Sequence, residues 1–340
     1  MIVASAIQLL EANRDAAQRA NDEIALYAGE FSQHFMAGCF SSMLYVERSS
    51  EVAEPGLFDP STEPSRLETR RMSPRHWMNF DLALLNEDLL ARRYIRELEY
   101  EFVLVLDISR SMTNGWLEAV RDGKARAHVC FLIKYIAYAL LSSALSEGFA
   151  CRVVFLDQGS VLVKTAREDE TFPFAVIAQI DELIAERPNP PEPLWLWDSV
   201  LRDLAVSSDQ MLVAVVSDFL DPLLNHGMDE SAMLGALSRL RFSKRLMALQ
   251  VNNMVDIQHA NPVTRSLFDM HYGESGSRRG LSDHEVVRER MRYCAWLGQE
   301  NAPGLLEERM SAERVPFQKF FRSDDMNQRL ETLTNGVLQT

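Results

Sequence analysis

The sequence predicts an α/β fold with a doubly wound, mostly parallel sheet flanked by helices. One observation behind this prediction is a set of short, uninterrupted apolar runs, which are typical of parallel strands buried on both faces. The other is the alternation of those runs with stretches of helical periodicity, which favours right-handed crossover connections. With 340 residues, of which 47% are hydrophobic, the chain is long enough to bury such a core.

Five apolar runs are the predicted strands of this sheet, and a sixth, short strand is predicted near the C-terminus. The five runs are residues 102–106, 151–156, 161–163, 211–216 and 246–251, and the C-terminal strand is residues 316–321. Helical periodicity predicts helices at residues 127–146, 174–186, 198–205, 230–240, 282–297, 304–312 and 325–334. A stretch rich in Gly, Ser and Arg at residues 273–280 is predicted to be an exposed loop.

The sequence further divides the chain into three parts. Residues 1–65 are expected to form a helical N-terminal extension and a linker, and residues 66–101 a basic lead-in segment. Residues 102–340 are the predicted α/β domain with a C-terminal helical elaboration. Apolar residues at helical spacing indicate the N-terminal helix, namely Val3, Ala6, Ile7, Leu10 and Ala17.

The charge and the cysteine content indicate which partners the protein can bind and in which cellular compartment we expect it. Lys and Arg number 35 against 49 Asp and Glu, so the formal net charge is −14. Such a chain repels phosphate backbones, and nucleic acid is therefore not expected as a partner. The four cysteines are far apart in sequence and are predicted to be reduced thiols of a cytoplasmic protein: Cys39, Cys130, Cys151 and Cys294. The N-terminus also lacks the pattern of a secretion signal.

One segment resembles a membrane helix in composition. Residues 129–145 are apolar apart from Lys134 and a few Tyr and Ser residues. The segment is shorter than the roughly 18–20 apolar residues that a membrane crossing needs, and it carries a charge near its middle. We therefore predict a helix packed against the sheet and no membrane span.

Residues with carboxylate or hydroxyl side chains follow two of the predicted strands. Asp107, Ser109 and Ser111 form an Asp-x-Ser-x-Ser motif, and Asp218 follows the fourth strand. In an open α/β sheet, ligands bind outside the carboxyl ends of the strands, where both stretches fall. Carboxylate and hydroxyl oxygens suit a hard cation such as Mg²⁺, with Mn²⁺ or Ca²⁺ as alternatives. Because neutral hydroxyls leave much of the ion's charge uncompensated, an open position should favour an anionic oxygen from outside.

The motif, together with Ser-Asp-Phe-x-Asp at residues 217–221, resembles the metal-ion-dependent adhesion site of von Willebrand factor A domains. More narrowly, the chain is similar to bacterial proteins of that class encoded beside MoxR-type AAA ATPases. The lead-in segment loosely resembles the segment before the first strand of those proteins, at residues 70–74, 79–80 and 95–99. The resemblance implies a von Willebrand factor A-like domain that binds a protein partner through its Asp or Glu. It also implies that the partner is a MoxR-type AAA ATPase or its client.

The sequence departs from that family at one ligand. The family's site usually includes a Thr before the helix that precedes the second Asp, and this chain has no Thr between Thr171 and Thr264. Asp198 or Ser199 is the candidate replacement, although Asp198 also fits a helix N-cap. The neighbouring Trp195 and Trp197 are either buried or form an aromatic platform at the rim of the site.

Three functions remain open from the sequence. The first is a non-enzymatic, metal-dependent adaptor, with no catalytic residue. The second is a Mg²⁺-dependent phosphohydrolase acting at Asp107, although Ser109 stands where such enzymes generally have a second carboxylate. The third is a structural domain whose metal site has decayed. Zinc-binding His pairs, phosphate-binding Gly loops and the Gly-x-Ser-x-Gly elbow do not occur in the sequence.

Overall fold

The structure is a computed structural model. It describes residues 2–35, 55–57, 90–92, 101–157, 160–166, 169–186, 200–201, 203–204, 211–219, 237–241, 245–251, 282–298, 304–320, 326–330 and 332. The chain divides into two compact units, one comprising Met1–Ser42 with Tyr100–Thr340 and the other Met43–Glu99. In the second unit, strand β1 (Pro55–Leu57) pairs antiparallel with β2 (Leu90–Arg92). This pair was not predicted from the sequence, because the composition around its first strand indicates a linker.

The larger unit is built on a six-stranded, mostly parallel sheet. Its strands are β3 (Glu101–Asp107), β4 (Ala150–Asp157), β5 (Ser160–Ala166), β6 (Met211–Ser217), β7 (Arg245–Val251) and β8 (Phe317–Phe320). They lie in the order β5-β4-β3-β6-β7-β8, and only the β4–β5 pair is antiparallel. The predicted α/β class with a mostly parallel sheet is therefore confirmed.

Helices flank this sheet. They are α1 (Ile2–Phe35), the short α2 (Arg110–Thr113) and α3 (Trp116–Arg121), then α4 (Val129–Ser146), α5 (Phe172–Glu186), α6 (Asp283–Leu297) and α7 (Leu305–Ala312). Residues 237–241 and 326–330 are also helical. Most predicted helices agree with these bounds to within two residues, but the loop predicted at residues 273–280 lies outside the described residues.

The order of the strands creates a crevice at the carboxyl ends of β3 and β6. From β3 the chain proceeds to β4 on one side, and it later returns to β6 on the other side of β3. Such a reversal leaves a crevice between the two strands at their carboxyl ends, because the connections leave in opposite directions. β3 ends at Asp107 and β6 at Ser217, so this crevice is where the predicted site residues fall.

The two faces of the central strands pack against different helices. Val103 and Val105 of β3 belong to a buried cluster with Tyr293 and Trp296 of α6. Side chains alternate along a strand, so the intervening residues of β3 point to the opposite face. There α4 packs on β3 and β4. Asp107 lies two residues after Val105, so its side chain leaves the strand on the same face of the sheet, against which α6 packs.

Helix α4 is the segment that sequence analysis compared with a membrane helix. Among the described residues it is the one helix long and apolar enough to cross a membrane, and 72% of that stretch is buried inside the protein. Such burial fits a core helix packed between the sheet and other helices. Its one charged residue, Lys134, has no exposed surface.

The N-terminal helix α1 packs against α3, α4 and α5. Its buried positions recur at helical spacing, at Ala17, Ala20, Asn21, Ile24 and Ala28. Asn21 is the polar member of this stripe. Its amide donates to Asp181 Oδ2 of α5 over 2.8 Å, and its side-chain oxygen accepts from Lys134 Nζ over 3.0 Å. The helix is therefore joined to the core by polar contacts as well as apolar ones.

An ion pair lies at the centre of that contact. Lys134 Nζ is 2.5 Å from Asp181 Oδ1, which also accepts a 2.6 Å hydrogen bond from the indole nitrogen of Trp116. The ammonium group lies 4.7 Å from the centre of the Trp116 ring, within the range of a cation–π contact. The buried charges are thus paired and hydrogen-bonded, as buried charges must be.

Candidate metal centre

Two chain segments converge at the carboxyl ends of β3 and β6. Asp107 is the last residue of β3, Ser109 lies two residues later, and Ser111 lies in α2. Asp218 is the first residue after β6. Because Leu106 is in register with Val216, the two strands present their terminal polar residues side by side.

Hydrogen bonds connect the predicted residues to one another. The backbone nitrogen of Ser109 donates to Asp107 Oδ1 over 3.0 Å, and Ser111 Oγ donates to Asp218 Oδ2 over 2.7 Å. Ser109 Oγ and Ser111 Oγ are 3.1 Å apart. The structure therefore brings Asp107, Ser109, Ser111 and Asp218 together from positions more than a hundred residues apart. Two further candidates, Asp198 and Ser199, and the neighbouring Trp195 and Trp197 lie outside the described residues.

Backbone contacts fix the loop that carries the two serines. Ile108 N donates to Leu156 O of β4 over 3.0 Å, so the chain remains held to the sheet beyond the end of β3. Met112 N donates to Ser109 O over 3.1 Å. The buried Thr113 hydroxyl donates to the same carbonyl over 2.8 Å. The two serine hydroxyls consequently start from a short, well-bonded turn.

Ser217 is a site residue that sequence analysis missed. Its hydroxyl donates to Asp107 Oδ2 over 2.6 Å and accepts from the backbone nitrogen of Phe219 over 2.9 Å. It is only 2% exposed. It opens the Ser-Asp-Phe-x-Asp stretch at residues 217–221, but its contact with Asp107 becomes evident only once the strand order is known.

The turn after Asp218 has an unusual backbone. Phe219 has φ 54°, a left-handed conformation that is rare for a residue with a side chain. The indole nitrogen of Trp296 donates to Phe219 O over 3.0 Å, and the Phe219 ring packs edge-on against Phe317. These contacts offset the cost of the turn. The sequence gives no signal for this support, since Trp296 is 77 residues away.

Both carboxylates of the site are buried. Asp107 is 2% exposed and Asp218 is 3% exposed. Burial, and next the negative charge of Asp218, raise the pKa of Asp107 to about 7, although hydrogen bonds from Ser217 and Ser109 oppose the rise. At neutral pH the ionised pair is therefore electrostatically unfavourable, and a positive charge between the carboxylates would relieve it.

The chemistry of these donors fits a hard cation. Two carboxylates and two hydroxyls offer oxygen atoms only, which suits Mg²⁺, Mn²⁺ or Ca²⁺ better than zinc. A hydroxyl oxygen has two lone pairs, so Ser111 can donate to Asp218 and still coordinate an ion. Within the described part of the chain, no group of three or more His, Cys, Asp or Glu side chains could hold a metal ion. Serine hydroxyls would have to complete any coordination here.

Comparisons with known proteins add no assignment. No protein-family model matches the chain, and a search of curated proteins finds no significant match.

Proposed function

We propose that the protein is a non-enzymatic, metal-dependent adaptor that binds a carboxylate of a protein partner. The observation that carries the proposal is the convergence of two buried carboxylates at the strand ends, each hydrogen-bonded to a serine hydroxyl. Asp107, Ser109, Ser111 and Asp218 would hold one divalent cation, most simply Mg²⁺. The bound ion would supply a positive charge that attracts an anionic oxygen, and Asp198 or Ser199 would supply the further ligand that the resemblance implies.

The resemblance to von Willebrand factor A domains supports this proposal. The Asp-x-Ser-x-Ser motif follows the strand at which the connections of the sheet reverse, which is where open α/β sheets bind ligands. The second Asp follows the neighbouring strand and bonds to the motif's last serine. The bacterial class that the chain resembles suggests a MoxR-type AAA ATPase, or a client that it remodels, as the partner.

A carboxylate from a partner is favoured over a reaction at the site. Enzymes with an Asp nucleophile after the first strand generally have a second carboxylate two residues later, and Ser109 stands at that position. The serine hydroxyls lie against Asp218 and against each other, and no described histidine contacts them as a general base.

Affinity capture with the full chain tests the adaptor function. In buffer containing Mg²⁺, the immobilised protein should retain a partner from the extract of its own cells, and EDTA should release it. Asp107→Ala should retain none, because the ion that makes the contact is lost. Ser143→Ala is the matched control, since Ser143 is equally buried but bonds within α4 to Ala139 O. A partner that stays bound in EDTA and to Asp107→Ala contradicts the proposed function.

A further inference from the structure

We infer that Ser217 is a positioning residue, which orients the Asp107 carboxylate for the cation. The inference rests on the proposed function and names a residue outside the Asp-x-Ser-x-Ser motif and the second Asp. It is carried by the hydrogen bonds of the Ser217 hydroxyl, by its burial, and by its place in the sheet.

The Ser217 hydroxyl donates its hydrogen to Asp107. A backbone N–H can only donate, so the bond from Phe219 N uses a lone pair of Ser217 Oγ and leaves the hydroxyl hydrogen for Asp107 Oδ2. Gln250 of β7 is in register with Ser217 on its other side. Its fully buried side-chain amide has no hydrogen-bond partner in the described part of the chain, so it does not compete for that hydrogen.

This hydrogen bond, together with a second one from Ser109, fixes the plane of the Asp107 carboxylate. Asp107 Oδ1 accepts from Ser109 N of its own turn, and Oδ2 accepts from Ser217 on the neighbouring strand. Two bonds, one from the turn after β3 and one from β6, prevent rotation about the bond that joins the carboxylate to the side chain. The remaining lone pairs of both oxygens therefore keep one direction, and a cation does not have to order the group when it binds.

The same hydroxyl also shapes the segment that carries Asp218. The bond from Phe219 N to Ser217 Oγ closes the turn in which Phe219 adopts its left-handed backbone, and Asp218 lies between the two residues. Ser217 thus touches both halves of the site. Loss of its hydroxyl should loosen Asp107 directly and Asp218 through the turn.

Mn²⁺ binding followed by electron paramagnetic resonance tests the inference on the full chain. Ser217→Ala should weaken Mn²⁺ binding by about 10- to 100-fold, the usual effect of removing a group that orients a metal ligand. Ser217→Thr keeps the hydroxyl and should restore affinity to within a few-fold of the wild type. Ser143→Ala, which removes an equally buried hydroxyl elsewhere, should bind Mn²⁺ as the wild type does.

The outcomes separate this inference from the proposed function. Wild-type affinity in Ser217→Ala overturns the positioning role but leaves the metal site standing. Equal weakening in Ser217→Ala and Ser143→Ala also overturns it, because the effect would then be a general loss of stability. A wild-type protein that binds no Mn²⁺ overturns the proposed function together with the inference.

Discussion

Asp107→Asn should make the metal-free protein more stable at pH 8 and should abolish cation binding. Asparagine has nearly the same shape and removes the buried negative charge beside Asp218. Its oxygen can accept from Ser109 N, and its amide can donate to the remaining lone pair of Ser217 Oγ, although the Ser217 hydroxyl hydrogen then loses its carboxylate acceptor. The gain follows from the raised pKa of Asp107, about 7 against an ordinary 3.8, and is of the order of 2–4 kcal/mol.

The gain should depend on pH in a defined direction. Because the pKa of Asp107 is higher in the folded protein than in the unfolded chain, the folded state holds the extra proton between about pH 4 and 7. The stability from this group is fully present below pH 4 and is lost as the pH rises through about 7. Urea unfolding in EDTA at pH 5 and pH 8 measures this. The advantage of Asp107→Asn over the wild type should be larger at pH 8.

A matched control uses an exposed aspartate. Asp122 has 53% of its side chain exposed, so Asp122→Asn removes the same charge from a solvated position. It should change the free energy of unfolding by less than about 0.5 kcal/mol at either pH. If Asp107→Asn is no more stable than the wild type at pH 8, the two carboxylates do not repel each other as described.

Lys134→Met should lower the free energy of unfolding by about 3–5 kcal/mol, the usual cost of removing one partner of a buried ion pair. Lys134 is fully buried and Asp181 is 15% exposed, so water can replace the lost ammonium group only in part. Asp181 would keep its bonds from Asn21 and Trp116, but its negative charge would be uncompensated. Urea unfolding at pH 7 gives the value.

The control for this prediction lies on the same interface between α1 and the core. Arg126 pairs with Glu23 and stacks on Tyr27 of α1, but 58% of its side chain is exposed. Arg126→Ala should therefore cost about 1 kcal/mol or less. Equal losses for the two variants would mean that the buried pair contributes no more than a surface contact.

The strands and the site residues could be predicted from sequence for a physical reason. Strands buried on both faces need continuous apolar runs, and the runs at residues 102–106 and 211–216 lie within β3 and β6. A polar motif directly after such a run must lie at the carboxyl edge of the sheet. Asp107 and Asp218 could therefore be expected at the same edge of the sheet, and the resemblance to the adhesion site implied that they lie close together.

Contacts that depend on strand order or on long-range pairing could not be predicted. Ser217 stands beside Asp107 only because β6 is the neighbour of β3, and apolar runs carry no information about their order. Asn21 bonds to Lys134 and Asp181, 113 and 160 residues away, and nothing around Asn21 in the sequence indicates either partner. The packing of α1 against the core could therefore not be predicted from the sequence.

We propose above all that Asp107, Ser109, Ser111 and Asp218 share one divalent cation. Calorimetric titration of the metal-free full-length protein with MgCl₂ at pH 8 tests this most directly. We expect saturable binding of one ion per chain at or below millimolar concentration, which disappears in Asp218→Ala and persists in Asp122→Asn. No binding heat from the wild type at millimolar Mg²⁺ or Mn²⁺, or the same heat from Asp218→Ala, would contradict it.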